Sequence, residues 1–203
     1  MNEIRKEEQR TFYNRWRTGG REIAPNMKYY SIVDSREKFL ANWFIRNATK
    51  KRVLDYGCGS GGSARKIAEC GAAEVVGVDI SEDSITNARK EIETTDLRDR
   101  CRFFVMDAEN MTFEKNRFDI VYACGPEPMM RRIFEIAESR ALEVQACFER
   151  IIRCSIGLCG SCVIGEYRVC TDGPVFTSQQ LEKMKGEFGF SKRDRYGRKI
   201  ELD

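Results

Sequence analysis

Most of the chain up to residue 150 alternates short apolar runs with segments of helical periodicity. Apolar residues recur at helical spacing between Arg36 and Asn47, which predicts an amphipathic helix. Short apolar runs then predict strands at Val53–Tyr56, Glu74–Val78, Cys101–Met106, Phe118–Ala123 and Glu143–Phe148. Further helices are predicted at Ser63–Cys70, Ser84–Glu93 and Met129–Ser139. Strands separated by helices in this way predict an α/β fold with a parallel, doubly wound sheet.

The pattern changes after Arg150. Residues 151–176 contain four cysteines and four glycines and show no helical period. A helix is predicted at Ser178–Glu187, followed by a charged tail at Ser191–Asp203. We therefore expect three parts, namely a helical lead-in over 1–37, a Rossmann-like domain over 38–150, and a small cysteine-rich module with its tail over 151–203.

Length and charge narrow the class of protein. The chain has 203 residues, of which 35 are basic and 32 acidic, for a net charge of +3. So small a positive excess gives no support to a dedicated nucleic-acid or membrane-surface protein. No run approaches the ~18 apolar residues of a membrane span, and Met1–Arg17 is charged without the apolar core of an export signal. We expect a cytoplasmic protein with no membrane association and no clear nucleic-acid partner.

The composition contains nine cysteines and no histidine. The absence of histidine excludes a histidine base, a Ser-His-Asp triad and every histidine-ligated metal site. Nine is an odd number, so the cysteines cannot all be paired, and cytoplasmic thiols stay reduced. Five cysteines are scattered along predicted strands and helices and are expected to be small buried hydrophobic residues: Cys58, Cys70, Cys101, Cys124 and Cys147.

A glycine-rich loop, Gly57–Gly62, follows the first predicted strand and opens a helix. Glycines permit a tight turn, and the helix N-terminus offers unpaired N–H groups to a ligand. The loop satisfies G-x-G-x-x-G, and Asp79 ends the next strand, which suits a nicotinamide dinucleotide. Asp55, however, precedes the first glycine by two residues, and a carboxylate there suits a cationic ligand better than a pyrophosphate. A nicotinamide cofactor that relays electrons onward stays a weaker alternative.

This loop and the next three strands resemble the class I S-adenosylmethionine-dependent methyltransferases over about residues 38–123. The likeness rests on the loop, on Val75–Ser81, on Met106–Glu109 and on Phe118–Ala123, in that order. It implies that Asp79 binds the ribose and that Asp107 meets the adenine amine of S-adenosylmethionine. The cofactor-binding residues that it implies are Asp55, Gly57, Gly59, Gly61, Asp79, Ile80, Asp107 and Ala108.

The other four cysteines form the run Cys154-x4-Cys159-x2-Cys162-x7-Cys170. Its C-x4-C-x2-C core has the plant-type spacing of a [2Fe–2S] cluster. The intervening glycines would let the backbone wrap closely enough for its N–H groups to point at the sulfurs. Four thiolates could instead hold a structural zinc, although zinc ribbons generally use two C-x2-C pairs and this run has one.

Three stretches around these cysteines resemble the electron-transfer subunit of dihydroorotate dehydrogenase B, an enzyme of pyrimidine biosynthesis, over about residues 122–177. They are Cys124–Met130, Cys154–Cys162 and Arg168–Phe176. In that family a flavin domain and a nicotinamide-binding domain precede a [2Fe–2S] module. The resemblance implies a cluster on the four cysteines and a flavoprotein or dehydrogenase as redox partner. Because both families use the strand order 3-2-1-4-5, we expect one sheet with the iron–sulfur module at one end.

Two hypotheses follow. The first is an S-adenosylmethionine-binding, methyltransferase-like protein with a [2Fe–2S] module and an unknown methyl acceptor. The second is an iron–sulfur electron-transfer subunit whose Rossmann half is only a scaffold. The usual last antiparallel strands of a methyltransferase are expected to be missing. In a chain without histidine, the candidates for a general base are Asp107, Glu109, Tyr122, Glu127 or a water molecule.

Overall fold

The computed structural model describes residues 31–107 and 117–202, together with position 7; for residues 31–37 it describes the backbone alone. The chain forms two compact units, of which the first ends at Met106 and the second begins at Asp107. No helix within these described ranges is long and apolar enough to cross a membrane.

From residue 31 onward, the first unit alternates three helices with three strands. Its elements are α1 (Ser31–Ala48), β1 (Arg52–Tyr56), α2 (Gly62–Glu69), β2 (Glu74–Asp79), α3 (Glu82–Glu93) and β3 (Cys101–Val105). The strands pair in parallel, with Asp55 of β1 opposite Gly77 of β2. The helices begin and end within a few residues of the predicted positions, except that α1 starts inside the expected lead-in.

The second unit has two strands joined by a helix, followed by short elements. These are β4 (Ile120–Cys124), α4 (Glu127–Glu138), β5 (Glu143–Cys147), β6 (Val163–Ile164), β7 (Tyr167–Arg168), α5 (Val169–Asp172), β8 (Val175–Thr177), α6 (Ser178–Lys183), β9 (Ser191–Arg193) and β10 (Lys199–Glu201). The predicted helix Ser178–Glu187 thus ends earlier, and the expected charged tail contains the antiparallel hairpin β9–β10.

The main sheet has six strands in the order β3-β2-β1-β4-β5-β8. This confirms the predicted α/β fold and the central order 3-2-1-4-5. The sixth strand corrects one expectation, because Val175–Thr177 pairs with β5 and runs antiparallel to it. The segment after the cysteines therefore supplies an antiparallel edge strand of the kind that the sequence was expected to lack.

Aromatic packing holds this edge strand and the module to the sheet. The rings of Phe148 and Phe176 meet edge to face at 5.5 Å, and those of Phe148 and Phe188 lie 5.1 Å apart. All three side chains are buried. Aromatic pairs of this kind stabilise a core beyond the area they bury. Residues before, within and after the cysteine-rich segment thus share one hydrophobic core.

The five scattered cysteines do not all lie in the core. Cys58 and Cys101 are buried as predicted, and burial raises the pKa of Cys101 to about 11. Cys70 and Cys147 are partly exposed, and Cys124 is exposed. The prediction of a core residue is wrong for Cys124, because this position ends β4 at the rim of the sheet.

Candidate cofactor and cluster sites

The glycine loop folds over the end of β2. Gly57, Gly59 and Gly61 all have positive φ angles, of 77°, 54° and 82°, which residues with a side chain rarely adopt. The N–H groups of Gly57 and Cys58 donate to the carbonyl of Val78, at 2.9 and 3.0 Å. The glycines that the sequence singled out are therefore the residues that make this turn possible.

Asp79 ties the loop to the end of β2. Its Oδ2 accepts the N–H of Gly59 at 2.9 Å, and its Oδ1 accepts the N–H of Ser81 at 2.9 Å. Each carboxylate oxygen can accept more than one hydrogen bond, and the side chain is partly exposed. Asp79 can therefore organise the loop and still accept the hydroxyl groups of a ligand.

Asp55 is buried in β1, with 3% of its surface exposed. Within the described residues, its Oδ2 has no hydrogen-bond partner. Burial, followed by the charge of Asp79, raises the pKa of Asp55 to about 7, against the opposing effect of a hydrogen bond from the Ala64 N–H. An unpartnered buried carboxylate oxygen is costly, so the position fits a donor or cationic group supplied by a ligand.

Replacing Asp55 by asparagine should remove a pH dependence from the stability of the ligand-free chain. Because its pKa is raised from 3.8 to about 7, the folded protein keeps a proton that the unfolded chain releases. The free energy of unfolding of the wild type therefore falls between about pH 4 and pH 7, by on the order of 3 kcal/mol. Urea unfolding at about pH 5 and about pH 8 measures this slope, which Asp55→Asn should lose.

The exposed carboxylate of Asp99 provides the control, because Asp99→Asn should leave the slope in place. An equal slope in the wild type and in Asp55→Asn would contradict the assignment.

The ring of Phe103 packs closely under the glycine loop, a contact that the sequence did not predict. A β-carbon at Gly77 would lie 2.6 Å from Cδ1 of Phe103, and one at Gly61 would lie 2.9 Å from Cε1 of the same ring. Arg89 fixes this strand by donating to the carbonyl of Phe103 from Nε and Nη2, at 3.0 and 2.7 Å. The glycine inside the apolar run of β2 was the available signal, since glycine in a strand often marks close packing.

The remaining residues predicted to bind the cofactor follow β2 and β3 in the sequence. Ile80 directly follows β2 and is partly exposed. The N–H of Met106 donates to the carbonyl of Asp79 at 3.0 Å, which brings the end of β3 beside the end of β2. Asp107 is the next residue and is partly exposed, whereas Ala108 lies outside the described residues.

The first pair of the cysteine run sits in a tightly wrapped loop. Ser155, Gly157 and Gly160 have positive φ angles of 57°, 79° and 70°. The N–H groups of Leu158 and Cys159 point at the sulfur of Cys154, at 3.3 and 3.4 Å. This is the wrapping that the two glycines predicted, and N–H groups aimed at sulfur favour thiolates that ligate a metal.

The four thiols interact in two pairs. Cys154 hydrogen-bonds with Cys159, and Cys162 hydrogen-bonds with Cys170. Over residues 31–107 and 117–202, no three Cys, Asp or Glu side chains converge closely enough to enclose a single metal ion. Cys170 also interacts electrostatically with Cys154, so the two hydrogen-bonded pairs of sulfur ligands are neighbours.

The protonation of these thiols follows from their hydrogen bonds. The Ser161 hydroxyl and N–H lower the pKa of Cys159 to about 6, and the Cys159 N–H lowers the pKa of Cys154. Burial, followed by the neighbouring Cys162, raises the pKa of Cys170. These hydrogen bonds favour the thiolate form of Cys154 and Cys159, which is the form that binds metals.

A buried arginine anchors the second pair of cysteines. Arg150 forms a bidentate ion pair with Glu127, both contacts being 2.8 Å, and the two side chains are 1% and 6% exposed. The guanidinium also donates to the carbonyls of Val163, which follows Cys162, and of Ser191. No sequence pattern predicted this network. Glu127 was one of several candidates for a general base, and the structure places both of its carboxylate oxygens against Arg150.

Glu187 completes the network from the C-terminal side. Its Oε1 lies 3.3 Å from Nη1 of Arg150, and its Oε2 accepts the N–H of Gly165 at 2.9 Å. The hairpin β6–β7 connects Cys162 to Cys170, and the N–H of Val169 donates to the carbonyl of Cys162 at 3.2 Å. The position of this cysteine pair therefore depends on a buried charge network.

Two family profiles match the chain in succession. Residues 53–140 match a methyltransferase domain. Residues 149–182 match the iron–sulfur cluster binding domain of dihydroorotate dehydrogenase B. The two matches cover the two regions whose sites are described above.

Curated relatives match part of the chain. The chain is 51% identical over 84 residues to a probable dihydroorotate dehydrogenase B (NAD(+)) electron transfer subunit of Pyrococcus furiosus, covering 41% of this chain and 32% of that protein. It is 38% identical over 115 residues to the corresponding protein of Methanocaldococcus jannaschii, covering 56% and 44%. The chain thus spans less than half the length of these relatives.

Solved structures share the overall fold. Magnesium protoporphyrin IX methyltransferase from Synechocystis PCC 6803 superposes with a TM-score of 0.55 at 21% identity, covering 72% of this chain and 73% of that one. The [4+2]-cyclase SpnF superposes with a TM-score of 0.50 at 21% identity, covering 75% and 56%. At this level of identity the likeness concerns the fold alone. The chain is thus similar to a methyltransferase domain over residues 53–140 and to the iron–sulfur cluster binding domain of dihydroorotate dehydrogenase B over residues 149–182.

Proposed function

We propose that the protein binds S-adenosylmethionine in a methyltransferase-like site and holds a [2Fe–2S] cluster in its C-terminal module. The observation that carries the first half is the pairing of a glycine loop tied down by Asp79 with a buried, unpartnered oxygen on Asp55. A ligand with hydroxyl groups and a cationic amine satisfies both carboxylates, whereas a dinucleotide offers hydroxyl groups to Asp79 but no cationic amine to Asp55.

When bound, S-adenosylmethionine supplies an activated methyl group. Asp79 would accept the ribose hydroxyls, Asp55 would face the cationic part, and Asp107 with Ala108 would take the adenine. The glycines of the loop leave the backbone open to close approach. The contribution of the protein is alignment of the methyl group with an acceptor, which is a proximity effect. The acceptor itself is unknown.

The thiol arrangement supports a [2Fe–2S] cluster over zinc. A structural zinc takes four thiolates around one ion, whereas each iron of a [2Fe–2S] cluster takes two. Two pairs of interacting thiols, with N–H groups directed at Cys154, match the second arrangement better. Hydrogen bonds to the sulfurs also tune the reduction potential of such clusters. Nine reduced cysteines suit the cytoplasm expected from the sequence.

The second candidate function is an electron-transfer subunit. The curated relatives carry that name, and residues 149–182 match the iron–sulfur cluster binding domain of the same enzyme, which favours this function. In this case a flavoprotein or dehydrogenase would bring the flavin to the cluster, and the Rossmann half would serve as a scaffold. The two candidates differ in whether the glycine loop binds S-adenosylmethionine.

Calorimetric titration with S-adenosylmethionine separates them. We expect binding by the wild type and at least a tenfold weaker affinity for Asp79→Ala, because the substitution removes both a ligand acceptor and the tether on Gly59. Asp99→Ala, which changes an exposed carboxylate, is the matched control. Absence of heat at about millimolar ligand in a protein that retains its iron would favour the electron-transfer subunit.

A further inference from the structure

Two cysteines outside the cluster run lie side by side at the rim of the sheet. Cys124 ends β4 and Cys147 ends β5, and the two residues are register partners in a parallel ladder. Partners in register project to the same face of a sheet, and neighbouring strands are about 4.8 Å apart. The two thiols therefore share one face of the sheet at roughly this spacing.

Both thiols are accessible. Cys124 is exposed and Cys147 is partly exposed, in contrast to the buried Cys58 and Cys101. They also stand at the carboxyl ends of parallel strands, where open α/β sheets bind their ligands. Cys124 lies two residues before the N-cap of α4, and the positive end of the helix favours a thiolate.

A third sulfur lies close by. A β-carbon at Gly125, the residue after Cys124, would lie 2.7 Å from Cε and 3.5 Å from Sδ of Met129. The thioether of the first turn of α4 is thus packed against the backbone next to the exposed thiol. Two thiols and a thioether at one rim of the sheet make a set of soft ligands.

We propose that Cys124, Cys147 and Met129 form a binding site for a soft monovalent metal ion such as Cu(I). Soft thiolate and thioether ligands select Cu(I) over harder ions. On binding, the metal leaves its previous ligands and two S–H bonds break. Three metal–sulfur bonds form, two to thiolates and one to the thioether, and two protons pass to solvent with no change in oxidation state. Two metal–sulfur bonds of about 2.3 Å each can bridge two thiols on neighbouring strands, so the strands need not move.

The test uses the full chain with its iron–sulfur cluster in place, under anaerobic conditions. Cu(I) is supplied as its bicinchoninate complex, and copper and iron per chain are both measured. We expect one Cu(I) to be taken from the competitor while the iron content is unchanged. Cys124→Ser and Cys147→Ser should each weaken binding at least about 100-fold, and Met129→Leu about tenfold.

Cys70→Ser is the matched control, since Cys70 is a partly exposed thiol outside the group, and it should bind as the wild type does. The visible spectrum of the cluster reports whether a variant has folded. If Cys147→Ser fails to fold, Cys124→Ser still tests the proposal, because Cys124 is exposed. Copper uptake at the expense of iron, no retention by the wild type, or unchanged affinity in Cys124→Ser would overturn the proposal.

Discussion

Replacing Arg150 by alanine is expected to destabilise the C-terminal unit by about 3–5 kcal/mol, because it leaves the buried carboxylate of Glu127 without its partner. The guanidinium is 1% exposed and holds both oxygens of Glu127 at 2.8 Å, together with the carbonyl of Ser191 at 2.9 Å. Arg150→Lys keeps the charge but not the bidentate geometry and should fall between the wild type and alanine. Urea unfolding of the three proteins measures the difference in free energy.

Arg132 offers a matched control on the same unit. Its ion pair with Glu135 spans 3.7 Å, and the arginine side chain is 51% exposed. Exposed pairs contribute little, so Arg132→Ala should change the free energy of unfolding by less than about 1 kcal/mol. Equal losses for Arg132→Ala and Arg150→Ala would contradict a structural role for the buried network.

Replacing Cys162 by serine should abolish the cluster. Cys162 is 2% exposed, and its partner Cys170 is reached through the short hairpin β6–β7. We expect the anaerobically purified variant to lose its red-brown colour and to fall from about two iron atoms per chain to near zero. Iron analysis and the visible spectrum measure both changes.

Cys70→Ser is the control for general effects of removing a thiol. The Cys70 thiol donates to the carbonyl of Ala41 at 3.7 Å, a bond that a serine hydroxyl can replace. This variant should keep its colour and iron. A colourless wild type with one zinc per chain, or a Cys162→Ser variant that keeps its iron, would rule out the proposed ligand set.

The fold of the first unit could be predicted closely because its signals are local. Each strand is an apolar run followed by glycine or a polar residue, and each helix has its own period. Asp55 was recognised from its place two residues before the first glycine, and the structure adds that its Oδ2 is buried without a partner among the described residues. Local patterns therefore pointed to the candidate site, while the burial of Asp55 depends on the packing around it.

The features that could not be predicted depend on contacts between distant residues. Glu127 and Arg150 are 23 positions apart, and no periodicity links them. The edge strand β8 has three residues, and only its antiparallel pairing with β5 defines it. The apolar neighbours of Cys124 predict a core residue, but β4 ends at this position and leaves it exposed. Such partners are set by the tertiary structure, on which sequence patterns carry little information.

The central claim is that one chain holds both S-adenosylmethionine and a [2Fe–2S] cluster. The most direct measurement is a calorimetric titration of the anaerobically purified full chain with S-adenosylmethionine, with iron, sulfide and zinc determined on the same sample. The account predicts about one ligand bound, with about two iron and two sulfide per chain and no zinc. A sample with one zinc per chain and no heat of binding would contradict it.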